Sequence, residues 1–165
     1  MKFISFKVAA PVVALGFLLA GCGGGSGDPA PTPIGATLTV TAATSPAFNG
    51  VYTTAAIGLS EVAKNRRLDN EDETCAFRFS GPATPDGTTL GGDIRYIPAN
   101  YAMNVMFVSI NGFEFQSHDS VNALVDLANN KVVFTGYTLT SSTGVASTIT
   151  LTGSVPLIGG RPNGC

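Results

Sequence analysis

Tryptophan is absent, histidine occurs once, and only 12% of the 165 residues carry a charged side chain. Each scarcity removes a class of chemistry. With His118 alone and no Cys/His cluster, no zinc-ligand spacing is present. Nine basic side chains against eleven acidic ones leave no cationic stretch able to neutralise a run of phosphates, which argues against nucleic-acid partners. There is no Gly-X-Ser-X-Gly elbow and no phosphate-cradling glycine loop, so no cofactor is expected. Low charge with abundant Thr, Ser and Gly fits a β-rich exported domain better than a helical one.

Long apolar runs are also scarce. Val8 to Leu19 is one, preceded by Lys2 and Lys7. It has the length of a signal-peptide h-region and is too short for a comfortable transmembrane helix. Leu19-Ala20-Gly21-Cys22 closes it. These four residues, after a basic start and an apolar run, resemble the lipobox of bacterial lipoproteins. The resemblance covers residues 1–22 and implies cleavage before Cys22, lipid on that cysteine, and membrane attachment through more than one acyl chain. Gly23 follows Cys22 where many inner-membrane lipoproteins carry Asp, so the implied destination is the outer membrane of the cell envelope, with the domain in the periplasm or at the cell surface. Loss of Lys2 and Lys7 would leave seven basic against eleven acidic side chains, disfavouring electrostatic docking on anionic lipid as well.

Residues 22–35 contain little besides Gly, Pro, Ala, Ser and Thr. The first half should be flexible coil and the Pro-X-Pro half should stiffen toward polyproline II. The segment reads as a tether of up to roughly 35–45 Å when extended. A single β-rich domain is expected over 36–165. With Cys22 assigned to lipid, Cys75 and Cys165 remain in a compartment that permits disulfides. Free thiols or a metal pair are the alternatives, and neither has accompanying residues to support it.

From Ala36 the hydrophobic period is two. Thr37–Thr41, Val51–Ile57, the Cys75-Phe77-Phe79 alternation, Gly92–Ile97, Met103–Ile110, Phe113–Gln116, Val121–Leu127, Val132–Thr140 and Val145–Thr152 all read as strands. Leu59–Asp69 admits a short helix capped by Ser60 or a continued strand, and the strand is favoured. Asn111-Gly112 predicts a type I′ hairpin, and Ala128-Asn129-Asn130 another turn. Met103–Ile110 carries apolar residues at both parities, so both its faces are expected to be covered. Most of the strand-spaced aromatics are expected in the core. The expected fold is all-β: an antiparallel meander of about eight or nine short strands forming a sandwich or small barrel, up-and-down rather than Greek key. No family signature extends into this domain.

Candidate sites are few. Ser117-His118-Asp119-Ser120 places a triad's residue types side by side, but neighbours on an extended segment point to opposite faces, so a polar loop is expected. Arg66, Arg67, Asp69, Glu71, Asp72 and Glu73 form the one concentrated charge run. Its acids are contiguous instead of alternating as in a calcium loop, so it reads as a solvated partner-contact loop, with Gly81–Gly92 as a second. Glu61, Glu114 and Asp126 are the acids available for carboxylate-pair chemistry. Catalytic and metal-binding residues are not expected. The functional expectation is an envelope lipoprotein presenting a non-catalytic β-domain to an envelope protein partner or in an accessory role. A carrier of a small apolar ligand in a barrel interior is the first alternative, and a periplasmic hydrolase the second.

Overall fold

A computed structural model describes residues 32–65, 73–143 and 147–165. Cys22, most of the tether and five of the six contact-loop residues (Arg66, Arg67, Asp69, Glu71 and Asp72) lie outside the described residues. Antiparallel strands dominate the rest. They are β1 (Ala36–Thr41), β2 (Gly50–Thr54), β3 (Gly58–Leu59), β4 (Ala63–Asn65), β5 (Thr74–Ser80), β6 (Leu90–Tyr96), β7 (Met103–Ile110), β8 (Phe113–Ser117), β9 (Ala123–Asp126), β10 (Lys131–Ser141) and β11 (Thr148–Pro156). Nine pair in the order β2-β1-β11-β10-β8-β7-β6-β5-β3, while β4 also pairs with β5 and β9 with β10. The sheet curls into a half-barrel with its apolar residues inside.

Turn chemistry accounts for the meander. Asn111 and Gly112 both have positive φ, 47° and 82°, and Ile110 faces Phe113 across the hairpin, as a type I′ turn requires. Between β9 and β10, Asp126 accepts hydrogen bonds from the backbone and side-chain nitrogens of Asn129, and Asn130 adopts φ 50°. The up-and-down order holds from β5 to β8 and again at β10–β11. The first strand then lies against the last, with Thr39 opposite Thr152.

Three expectations are refined. Of Leu59–Asp69, the described part up to Asn65 forms strands, not a helix, and is interrupted once. Leu59 faces Phe79 and Ala63 faces Ala76, so β3–β4 carries one residue more than β5. Ser60 absorbs the irregularity: its Oγ accepts from the Arg78 amide at 2.8 Å and its own amide donates to the Arg78 carbonyl at 2.9 Å. That bulge turns Val62 into the core. Leu90 and Gly91, expected in a connection before a strand at Gly92, instead begin β6, while Ala83 bridges Thr53 and Thr89. On β7 a register shift between Met103 and Val105, opposite Tyr96 and Arg95, moves the inward set from Met103 to Met106, Val108 and Ile110 and leaves Val105 in line with Phe107. Phe107 consequently faces outward.

Apart from Ala36 and Val105, the buried apolar side chains form one cluster. Its larger members include Tyr52, Tyr96 and Tyr137, each at most 1% exposed. Burial of a phenol is tolerable when its hydroxyl keeps a partner. Tyr52 donates to the Phe48 carbonyl at 2.8 Å, Tyr96 to the Cys165 carbonyl at 2.6 Å and Tyr137 to the Asp119 carbonyl at 2.7 Å. Among the described residues no buried side-chain nitrogen or oxygen lacks a partner. Most aromatics are core as expected, but Phe113 is 57% exposed, packed on half-buried Phe48. Val121, expected on one face with Ala123, Val125 and Leu127, is 62% exposed, since the chain enters β9 through a turn before the period-two pattern begins.

Cys75 and Cys165 are joined by a disulfide across 90 residues of sequence. Both are buried, and the bond fastens the segment after β11 beneath Tyr96. In the chain-entropy model a loop of this size contributes about 4–5 kcal/mol. Cys165→Ser should therefore lower Tm by about 12–15 °C, taking about 3 °C per kcal/mol for a domain of this size. An unchanged melting curve would refute that role.

The three buried tyrosines set an alkaline limit. Burial, the largest cause in each case, raises all three phenols above their ordinary value. Their neutral form is thus favoured in the fold, so the stability they contribute is complete below the unfolded value of about 10 and declines as pH rises beyond it. Denaturant midpoints measured between pH 8 and 11 should stay level and then fall above about pH 10. A midpoint that rises with pH over that window would contradict the assignment.

Candidate functional site

Strand parity on β5–β8 decides what faces solvent. Phe77 and Phe79 point inward on β5, as do Leu90 and Ile94 on β6. Two cross-strand rows therefore point outward. One runs Arg78–Asp93–Phe107–Gln116. The next runs from Ser80, beside Gly91, through Ser109 to Glu114. The first row is bulky and the second is small, so a trough forms between them with a cavity volume of about 760 Å³. That is within the usual range for ligand sites. Gly58 widens it at the β3 end.

The glycines are there for steric reasons. A Cβ on Gly92 would lie 2.5 Å from the Phe107 carbonyl oxygen and 2.6 Å from the Phe79 ring. A Cβ on Gly91 would lie 3.0 Å from the Phe79 carbonyl oxygen. The Phe79 ring therefore packs directly on bare backbone, and the outward side of β6 is left as a floor.

The electrostatics of the rim are asymmetric. Arg95 donates to Asp93 through Nε and Nη2, both at 3.0 Å, and its guanidinium lies 5.4 Å from the centroid of Phe107. This hydrogen-bonded pairing holds Arg95 above its ordinary range, against the opposing effect of burial. Arg78 reaches the same carboxylate only through Nε, at 3.4 Å, and its side chain is 78% exposed against 16% for Asp93. Arg95 is thus committed to its strand, whereas Arg78 presents most of its guanidinium to solvent. At the far side, the Ser142 hydroxyl donates to Oε1 of exposed Glu114 at 3.0 Å. A second depression adjoins on the β4 side, lined by Glu61, Asn65, Thr74 and Ala76 together with Arg78 and Arg95.

The sequence candidates fall elsewhere or apart. His118 is exposed, and its neighbours serve the backbone: Ser117 Oγ accepts from the Asp119 amide and Asp119 Oδ1 accepts from the Val121 amide. Asp126 is held below its ordinary range chiefly by Asn129. Glu61 and Glu114 line different depressions. Glu73, the described member of the charge run, pairs with Lys64 at 3.0 Å. Among the described residues no three His, Cys, Asp or Glu side chains gather as a metal site would require. Arg78, Asp93, Arg95 and Phe107 lie outside the sequence candidates, which reach the trough only at Glu114, Gly91 and Gly92. Their signal was available: Phe107 and the Arg78/Asp93/Arg95 set occupy the outward parity of otherwise apolar strands.

Compared with known proteins, the chain matches no family model, no curated protein and no solved structure.

The trough predicts its own fragility. Gly92→Ala should destabilise the fold by about 1–3 kcal/mol, the usual cost of overpacking. Urea denaturation checks this, and a midpoint equal to wild type would show that Phe79 yields freely.

Proposed function

We propose that this chain is a lipid-anchored protein of the bacterial envelope whose β-domain is a non-catalytic binding module. One observation carries the reading of the domain: a trough with a committed Asp93–Arg95–Phe107 wall and an uncommitted Arg78 lies on strands, not loops. A site built on paired strands is held in place before a partner arrives, which lowers the ordering cost of binding. The interior, by contrast, is filled by Tyr52, Tyr96, Tyr137, Phe115 and Phe134. A ligand carried inside a barrel therefore has less to support it than a partner held outside. The hydrolase alternative rests on His118, whose flanking Ser117 and Asp119 are engaged in turn hydrogen bonds. The anchor part of the proposal rests on the lipobox-like residues ending at Cys22 and on the tether behind them. The run from Arg66 to Glu73 joins Asn65 to Thr74, which line the adjoining depression, so its charges are proposed to extend the contact surface.

Two experiments on the full-length protein test the two halves. Cys22→Ser should abolish metabolic acyl labelling; unchanged labelling would remove the anchor. A photo-crosslinker at Ser109, in the trough, should give a discrete envelope adduct that one at Thr39, on the outer side of β1, does not. Equal adducts from both positions, or a hydrolytic activity lost on His118→Ala with the fold intact, would overturn the module.

A further inference from the structure

The trough has a polarity of its own, and that polarity constrains what it can hold. Arg78 on β5 stands at one end and Glu114 on β8 at the other, both lining the same cavity. Among the described residues, the Arg78 guanidinium makes a single long contact, and Glu114 has one carboxylate oxygen engaged by Ser142. Each therefore retains charge and hydrogen-bonding capacity directed at solvent. Between them the floor is Ser80, Gly91 and Ser109, which is uncharged and too small to obstruct an extended chain. Phe107, its stacked Arg95 and Asp93, whose carboxylate Arg95 neutralises through two bonds, form one continuous side wall.

Distance selects the occupant. Three strand spacings separate β5 from β8, or about 14 Å. An extended peptide advances about 3.3–3.6 Å per residue, so about four residues cover that span. A carboxylate suits Arg78, whose planar guanidinium can take it by two parallel bonds. An ammonium suits Glu114. We propose that the trough binds a short zwitterionic peptide of about four residues across the strands, its terminal carboxylate on Arg78 and its amino group on Glu114. The inference rests on the binding-module reading and adds the chemical class of what is bound. Small side chains are favoured, because the floor lies close to the β6 backbone and the wall is already occupied by the Arg95–Phe107 stack.

Titration calorimetry of the full lipidated chain in detergent micelles, at pH 7, tests this with tetraalanine as probe. Tetraalanine with free termini should bind. Amidating its carboxyl or acetylating its amine should each weaken binding about tenfold, the loss expected for one charge-assisted contact at a partly exposed site. Arg78→Gln should abolish the penalty of amidation alone, and Glu114→Gln that of acetylation alone. Dialanine, too short to reach both ends, should bind no better than the singly blocked peptides. Amide shifts at Gly91 and Ser109 on adding tetraalanine give a second readout, independent of any effect of the substitutions on folding. Equal affinity for free and doubly blocked peptide, binding indifferent to both substitutions, or no binding at millimolar peptide would each overturn the proposal. If Ser109 still crosslinks a partner while tetraalanine fails to bind, the module stands and the peptide inference alone falls.

Discussion

The register between β5 and β6 is the constraint on which the rest depends. Phe79 lies opposite Gly92, and its ring packs on a position that has no side chain. Side chains alternate across a sheet, so this one pairing dictates the facing of every neighbour. Phe77 and Ile94 go inward; Arg78, Asp93 and Arg95 go outward. A slip of β5 by one residue would put Arg78 into the apolar cluster and expose Phe77 and Phe79, and a slip of β6 would instead bury Asp93 and Arg95. No alternative partner inside the core is offered to those charges, so the penalty holds the register firmly. The trough follows from the same pairing: Gly91 takes the outward parity next to a Gly92 that the ring demands.

The architecture was legible to the extent that its signals are local. Period-two alternation locates most strands, Asn111-Gly112 locates a hairpin, and His118–Ser120 forms an exposed loop after β8. The pairing of Cys75 with Cys165 followed once Cys22 was set aside. What local pattern could not convey was each place where one strand depends on another. The bulge at Ser60 exists because β5 has one residue fewer over the same span. Phe107 faces outward because of a register shift set against Arg95 and Tyr96. Val121 is exposed because pairing with β10 begins only at Ala123. The trough belongs to this same group. Its residues lie on five different strands, and only the ladder brings Arg78, Asp93, Phe107 and Glu114 onto one surface.

A strand-borne site and a filled interior have a common origin. With tyrosines closing their hydroxyls on backbone carbonyls, the core is satisfied without charge, and charged groups are left to the outer surface. Asp93 illustrates the result. It takes two bonds from Arg95 and a longer one from Arg78, so one arginine becomes part of the scaffold while the other remains available. The division of labour arises from spacing alone: Arg95 shares a strand and a face with Asp93, whereas Arg78 approaches from across the ladder.

The pairing of β1 with β11 has a consequence for the order in which the chain can assemble. A protein is made from its N-terminus, and β1 precedes β11 by more than a hundred residues. While β2 can join β1 at once, the other edge of β1 must wait for nearly the whole domain to emerge. Cys75 waits in the same way for Cys165. Such non-local pairing makes for slow folding and leaves a strand edge exposed in the interim. Thr37, Thr39 and Thr41 alternate with Ala36, Leu38 and Val40 along that waiting strand, so one side of it stays wettable. The hydroxyl-bearing face that looks idle in the finished fold thus spares the waiting strand from offering an apolar surface on both sides.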